Sequence, residues 1–184
     1  PDSQTDLQLV RKVRNGDRAA FDLLVVKYQS RVASIISRYV YDSQEVMDLT
    51  QETFVKAFRA IERFRGDSAF YTWLYRIAVN TAKNYLESRG RRPQGSADSA
   101  EAENFDDGSR LRDTASPERL LQREQLQKEL NRAIAQLPEE LRSAFLLREY
   151  DGLSYEDIAG ILECPIGTVR SRIFRARDAV DRHL

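Results

Sequence analysis

The sequence predicts an all-α protein built as two small helical domains joined by an acidic flexible linker, and three observations predict it. Apolar residues recur at three- and four-residue spacings almost throughout, and no segment sustains the apolar-polar alternation of a half-buried strand. One stretch, "GRRPQGSADSAEAENFDDGS" (90–109), interrupts that period with Gly, Pro, Ser and acids and is too polar to bury a core of its own. A chain of 184 residues, 41% apolar and 32% charged, suits one large or two small domains with wet helices. The expected boundaries are residues 1–93 for the first domain, 94–115 for the linker and 116–184 for the second.

Each element has its own signal. Asp6 is positioned to cap a short first helix that stops at Gly16. Asp17 then caps a long helix whose inner face is Phe21, Leu24, Val25, Tyr28, Val32, Ile35, Ile36 and Tyr39. A third helix spans 44–64 and buries Val46, Phe54, Ala57, Phe58 and Ile61, and a fourth spans 69–89. Beyond the linker, Ser116-Pro117-Glu118 restarts helix with Ser as cap and Pro in the first turn, and Leu120, Leu121, Leu130, Ala133, Ile134 and Leu137 mark its buried face. Pro138 opens another helix that ends at Asp151-Gly152. A short helix capped by Ser154 follows, then a tight turn over 164–167 and a last helix.

The formal charge of zero hides an uneven distribution. Residues 1–93 hold 16 Lys and Arg against 11 Asp and Glu, while 94–118 hold 2 against 7. The segment 166–182 carries five Arg and two Asp. Two basic surfaces and an acidic connector result, which is the pattern of a nucleic-acid binder rather than of a neutral globule. A single cysteine, Cys164, excludes an internal disulfide, and with His183 as the one histidine it builds no zinc site. Neither a metal nor a cofactor is expected. No apolar run approaches the ~20 residues of a membrane span and nothing at the start resembles a signal peptide, so no direct membrane insertion and a cytoplasmic location are expected.

Three segments carry candidate chemistry. "DSAFYTWLYR" (67–76) sets Phe70, Tyr71, Trp73 and Tyr75 in ten residues, followed by Arg76, Asn80, Lys83 and Asn84. Its apolar arc covers roughly two-thirds of a helix, more than one core needs. Two readings fit: rings and amides that meet unpaired bases, or a helix buried between two neighbours with Tyr hydroxyls at its rim.

On the last helix Val169, Ile173, Ala176 and Val180 form a narrow inner seam, which turns Arg170, Ser171, Arg172, Phe174, Arg175 and Arg177 outward. An Arg-rich helix after a tight turn suits a recognition helix in the major groove, and an exposed ring suits a thymine methyl. Its bland counterpart is a solvated Arg-rich helix with Phe174 lying over a neighbour. The helix 44–64 turns Asp48, Gln51, Glu52, Val55, Arg59 and Glu62 outward. No third acid or His joins Asp48 and Glu52, and no Gly-rich phosphate loop accompanies them, so no catalytic residue is assigned. Val55 among charges instead suggests a partner surface with an apolar centre and a polar rim.

"DLTQETFVKAFRAIERFRGDSAFYTWLYRIAVNTAKN", followed by a linker and "LSYEDIAGILECPIGTVRSRIFRAR", resembles the bacterial extracytoplasmic-function (group IV) sigma factors of the sigma-E type, over nearly the whole chain. The resemblance implies two helical domains, sigma-2 and a sigma-4 helix-turn-helix, in a protein that is not an enzyme. It implies recruitment of RNA polymerase core to envelope-stress-type promoters and help in melting the minus-ten element. Asp48, Gln51, Glu52 and Val55 would meet the beta-prime clamp of the polymerase. The loop and helix carrying Phe64, Arg65, Ser68, Ala69, Phe70, Tyr71, Trp73, Tyr75, Arg76, Asn80, Lys83 and Asn84 would take the melted minus-ten strand. Thr168, Arg170, Ser171, Arg172, Phe174, Arg175 and Arg177 would read the duplex minus-thirty-five element. The linker would thread the polymerase's RNA path, and an inner-membrane anti-sigma factor would be a further partner. Rival readings are a helix-turn-helix activator, which lacks a sensing domain here, and a metal-dependent nuclease, which lacks a ligand cluster.

Overall fold

The computed structural model describes residues 3–90 and 116–184. The acidic linker expected at 94–115 lies outside the described residues. Among these there are eight α-helices, one 3-10 turn and no strand. By their contacts they group into two compact units: α1 to α4 together with Glu156–Cys164, and the chain from α5 to Tyr155 together with Pro165–Leu184.

In the first unit, α1 (Ser3–Arg14), α2 (Arg18–Ser37), α3 (Ser43–Ala60) and α4 (Phe70–Gly90) form a bundle. Asp17 accepts from the Ala20 amide at 3.3 Å and starts α2, and Asp42 accepts from the amides of Gln44 and Glu45 and starts α3. Between α1 and α2 the chain reverses at Gly16, whose φ of 95° lies where a Cβ would be strained. α2 packs against α1, α3 and α4, which explains why its apolar residues run around much of its circumference. Leu24, Val32, Ile35 and Ile36 are all but inaccessible, and each such side chain contributes about 1.5–3 kcal/mol by leaving water.

Two expectations for this bundle are corrected. α1 begins at Ser3, so Asp6 is not its cap; it is buried in the first turns and accepts hydrogen bonds from Lys27 Nζ at 2.6 Å and from the Tyr28 hydroxyl. The carboxylate tolerates burial because two donors from α2 satisfy it. Phe58, expected in the core, is 39% exposed: one edge of its ring reaches Phe21, at 5.0 Å between centroids, and the rest faces out.

In the second unit, α5 (Pro117–Ala135), α6 (Glu139–Glu149) and α8 (Ile166–His183) enclose Ala133, Ile134, Leu137, Phe145, Leu146, Ala176 and Val180. Pro117 sits in the first turn of α5 as expected, but Leu120 and Leu121 are exposed, not buried. α5 buries residues only from about Leu130 onward, so its first turns have no neighbour among the described residues to cover their leucines. Gly152, at φ 65°, closes the turn after α6.

α7 (Tyr155–Leu162) starts directly after Ser154. The turn that follows is one residue earlier than the sequence suggested: Glu163 takes the left-handed conformation, at φ 54°, and Pro165 precedes the first residue of α8. Gly167 therefore belongs to the first turn of α8, and the residues Thr168 to Arg177 keep the helical register assigned to them.

Candidate functional site

Three surfaces carry the residues singled out by the sequence. On α3, Asp48, Gln51, Glu52 and Val55 are all exposed, opposite the buried Val46, Leu49, Thr53, Phe54 and Ala57. Local pairs hold the carboxylates at the surface: Gln44 Nε2 donates to Asp48 at 3.2 Å, and Lys56 pairs with Glu52 at 3.2 Å. Among the described residues no three His, Cys, Asp or Glu side chains gather as metal ligands. Met47 and Phe58, which sequence reasoning did not assign to this surface, are 58% and 39% exposed on the same helix. Their spacing of eleven residues, three helical turns, was the available signal.

The second surface comprises the loop after the 3-10 turn Ile61–Arg63 and the helix α4. Here the rings divide. Phe64, Phe70 and Tyr75 are buried, so as they stand they offer no face to a strand. Phe64 and Phe70 meet edge-on at 5.9 Å, and Tyr28 of α2 packs against Phe70 at 5.8 Å and Tyr75 at 6.2 Å. Core packing claims these three because α4 faces α2 and α3 at once. Tyr71 and Trp73 are half-buried, Trp73 lying 5.3 Å from Phe64. Arg65, Asn80 and Asn84 are exposed, and Ser68, Ala69, Arg76 and Lys83 are half-buried. Asn80 and Asn84, four apart, share one face.

Within the same unit, segment 156–164 engages part of that helix. The Tyr71 hydroxyl donates to Asp157 at 2.7 Å, and this hydrogen bond, with burial, pushes the phenol up to about 12. Arg76 Nε donates to the Gly160 carbonyl at 2.8 Å. A Cβ on Gly160 would meet the Thr72 methyl at 3.0 Å, so the glycine permits this approach.

The third surface is α8. Val169, Ile173, Ala176 and Val180 are buried, which matches the inner seam read from the sequence. Arg170, Ser171, Phe174 and Arg175 are exposed, Phe174 at 73%, while Thr168 and Arg172 are half-buried. The arginines differ in what surrounds them. Arg170 lies over the Tyr155 ring at 5.9 Å, Arg172 approaches Glu140 at 3.7 Å, and Arg177 Nε donates to Glu149 at 2.8 Å. That last hydrogen bond raises the Arg177 pKa further above its already high value.

The family of sigma-70 region 2 matches residues 24–92, which hold the first two surfaces, and the family of sigma-70 region 4 matches residues 127–180, which hold the end of α5, α6, α7 and most of α8. The chain is 61% identical over 178 residues to the ECF RNA polymerase sigma-E factor of Escherichia coli strain K12, covering 96% of this chain and 93% of that protein. It is 57% identical over 182 residues to the RNA polymerase sigma-H factor of Pseudomonas aeruginosa PAO1, covering 98% of this chain and 94% of that one. Among solved structures, the sigma factor RpoE of Bartonella quintana, determined in complex with the anti-sigma factor NepR, shares the fold with a TM-score of 0.63 at 24% identity, over 89% of this chain and 95% of that one.

The chain belongs to the sigma-70 family of transcription initiation factors, in its extracytoplasmic-function group. It is an alternative sigma factor, a DNA-binding protein that directs RNA polymerase and not an enzyme.

Proposed function

We propose that this sigma factor divides its work among the three surfaces. α3 docks on the beta-prime clamp of the polymerase core through Asp48, Gln51, Glu52 and Val55, an apolar centre in a polar rim. α8 lies in the major groove of the minus-thirty-five element with Arg170, Ser171, Phe174 and Arg175 toward the bases and Thr168, Arg172 and Arg177 toward the backbone. The loop 64–69 and α4 hold the melted minus-ten strand through Arg65, Ser68, Ala69, Tyr71, Trp73, Arg76, Asn80, Lys83 and Asn84, over a scaffold of Phe64, Phe70 and Tyr75.

On this reading residues 1–93 and 116–184 are the functional domains and 94–115 connects them along the polymerase's RNA path. Promoters of the envelope-stress type are the targets. No helix among the described residues is long and apolar enough to cross a membrane. A cytoplasmic protein held at the inner membrane by an anti-sigma factor fits that, and a related fold determined in complex with an anti-sigma factor supports the anti-sigma partner.

The observation that carries the reading is the polarity of α8, a four-residue buried seam backing an exposed row of Arg, Ser and Phe. The purified protein added to RNA polymerase core should start transcription at an envelope-stress-type promoter without any other sigma factor. A requirement for a second sigma would make it an activator.

A further inference from the structure

In the first unit, segment 156–164 lies against α4 on the side that carries Tyr71 and Arg76. Both oxygens of the Asp157 carboxylate accept hydrogen bonds there, one from the Tyr71 hydroxyl at 2.7 Å and one from the Thr72 hydroxyl at 3.4 Å. Arg76 Nε donates to the Gly160 carbonyl at 2.8 Å and stands 3.9 Å from the Glu163 carboxylate. Asp157 and Gly160, three apart, share one side of α7, whereas Ile158 and Ile161 are fully buried.

Ordinary helix chemistry explains part of this. An acid in the first turn of α7 suits the helix dipole, so Asp157 by its position alone implies no partner. Gly160 is different: a glycine inside an eight-residue helix weakens it relative to alanine, and α7 gains nothing from it locally. A Cβ placed there would meet only α4, at 3.0 Å from the Thr72 methyl and 3.9 Å from Arg76 Nη2, with no atom of α8 within 4 Å. The missing side chain serves the approach of α7 to α4. Two acids, Asp157 and Glu163, thus stand over a phenol and a guanidinium of the minus-ten surface, the same kinds of donor that bind a DNA phosphate.

We propose that segment 156–164 is an internal cover: in the free protein it occupies the Tyr71 and Arg76 part of the minus-ten surface, its carboxylates standing in for backbone phosphates, and it leaves when a melted strand binds. The proposal rests on the reading of loop 64–69 and α4 as the minus-ten surface and adds a regulation of it. Cover and strand compete for one set of donors, so the free protein binds single-stranded DNA more weakly than the bare surface would, in proportion to the time that the cover is open. On the same reading α8, which follows the segment directly, lies in upstream duplex, so promoter binding favours the open state.

The test closes and opens the cover in the full chain. Thr72→Cys with Gly160→Cys, in a Cys164→Ser background, puts two sulfurs within bridging reach, because the Thr72 methyl and a Cβ at 160 are 3.0 Å apart. Oxidised, this protein should bind a fluorescent single-stranded minus-ten oligonucleotide about tenfold more weakly or worse, and a reductant should restore binding. Gly160→Gln, which wedges the two helices apart without altering any residue assigned to DNA, should tighten binding by the free protein about tenfold and leave transcription by the assembled holoenzyme unchanged. Circular dichroism of both altered proteins, the first in reductant, should match that of the unaltered chain. Failure of the paired cysteines to bridge, equal binding by the bridged and reduced forms, or no gain in Gly160→Gln would each overturn the proposal while leaving the minus-ten surface standing. If the unaltered holoenzyme fails to bind the oligonucleotide, the minus-ten reading falls and this proposal falls with it.

Discussion

Arg177 of α8 donates from Nε to the Glu149 carboxylate of α6 at 2.8 Å, so the last of the arginines assigned to the reading surface is already engaged within its own unit. Its fork is committed where that of Arg175, two residues earlier and exposed, forms no ion pair among the described residues. The two arginines should therefore respond differently to truncation. Arg175→Ala should cost about 1–3 kcal/mol of duplex binding, concentrated at one or two base positions. Arg177→Ala should weaken all sequences slightly and evenly. Titration of the holoenzyme against a set of singly altered minus-thirty-five duplexes separates these patterns, and equal base-specific losses would remove the distinction.

Asp6 is the buried charge on which α1 depends. With 1% of its side chain exposed it accepts from Lys27 at 2.6 Å and from the Tyr28 hydroxyl, tying α1 to α2. Lys27 is 28% exposed and can turn to water if the carboxylate is lost, whereas the buried Tyr28 hydroxyl cannot. The cost of Asp6→Ala is therefore set by the loss of the two hydrogen bonds that the buried carboxylate accepts, about 1–3 kcal/mol. Thermal unfolding of the altered protein should show a melting temperature several degrees lower. No change would mean that α1 contributes little to the cooperative unit.

The helices were legible because their signals are local. Asp17 caps where its side chain can reach the next amides, and the seam Val169, Ile173, Ala176 and Val180 is fixed by helical period alone. What sequence could not supply was which apolar residues find a partner. Leu120 and Leu121 continue the period of α5 but extend past its neighbours, and Phe58 follows the period of α3 yet is only partly covered by Phe21. Asp6 misled for the opposite reason. An acid near a helix start reads as a cap, and nothing local reveals that Lys27 and Tyr28, a helix away, will surround it. The aromatic cluster had two readings for the same cause, and the packing of Tyr28 between Phe70 and Tyr75 assigns those two rings to the core.

Glu52 offers a charge reversal that leaves the fold alone. Both Glu52 and Lys56 are about half exposed, so their 3.2 Å pair is worth under about 1 kcal/mol. Glu52→Arg should change stability by no more than about 0.5 kcal/mol, since its other neighbours are solvent. At a docking surface the same change opposes the partner's field and slows association as well as weakening it. Competition with the unaltered protein for limiting polymerase core measures the effect directly. Equal competition would exclude this face of α3 from the interface.

Asn80 on α4 and Arg175 on α8 present different chemistry, and each suits DNA in a different state. The exposed amide of Asn80 stands on a helix whose half-buried Trp73 and Tyr71 supply ring surface, which suits unpaired bases at about 1–3 kcal/mol per stacked base. The exposed guanidinium of Arg175, beside Phe174, suits paired bases in a major groove. Asn80→Ala should impair promoter opening and binding to single-stranded minus-ten DNA while upstream duplex binding persists. Arg175→Ala should weaken recruitment to a duplex promoter but leave initiation on a pre-melted template that lacks the upstream element. Binding and transcription of both altered proteins on both templates form a two-by-two comparison in which the defects should fall on opposite corners. If both proteins lose the same activity on both templates, the two surfaces do not divide duplex from melted DNA, because a shared defect could arise only from a step common to both.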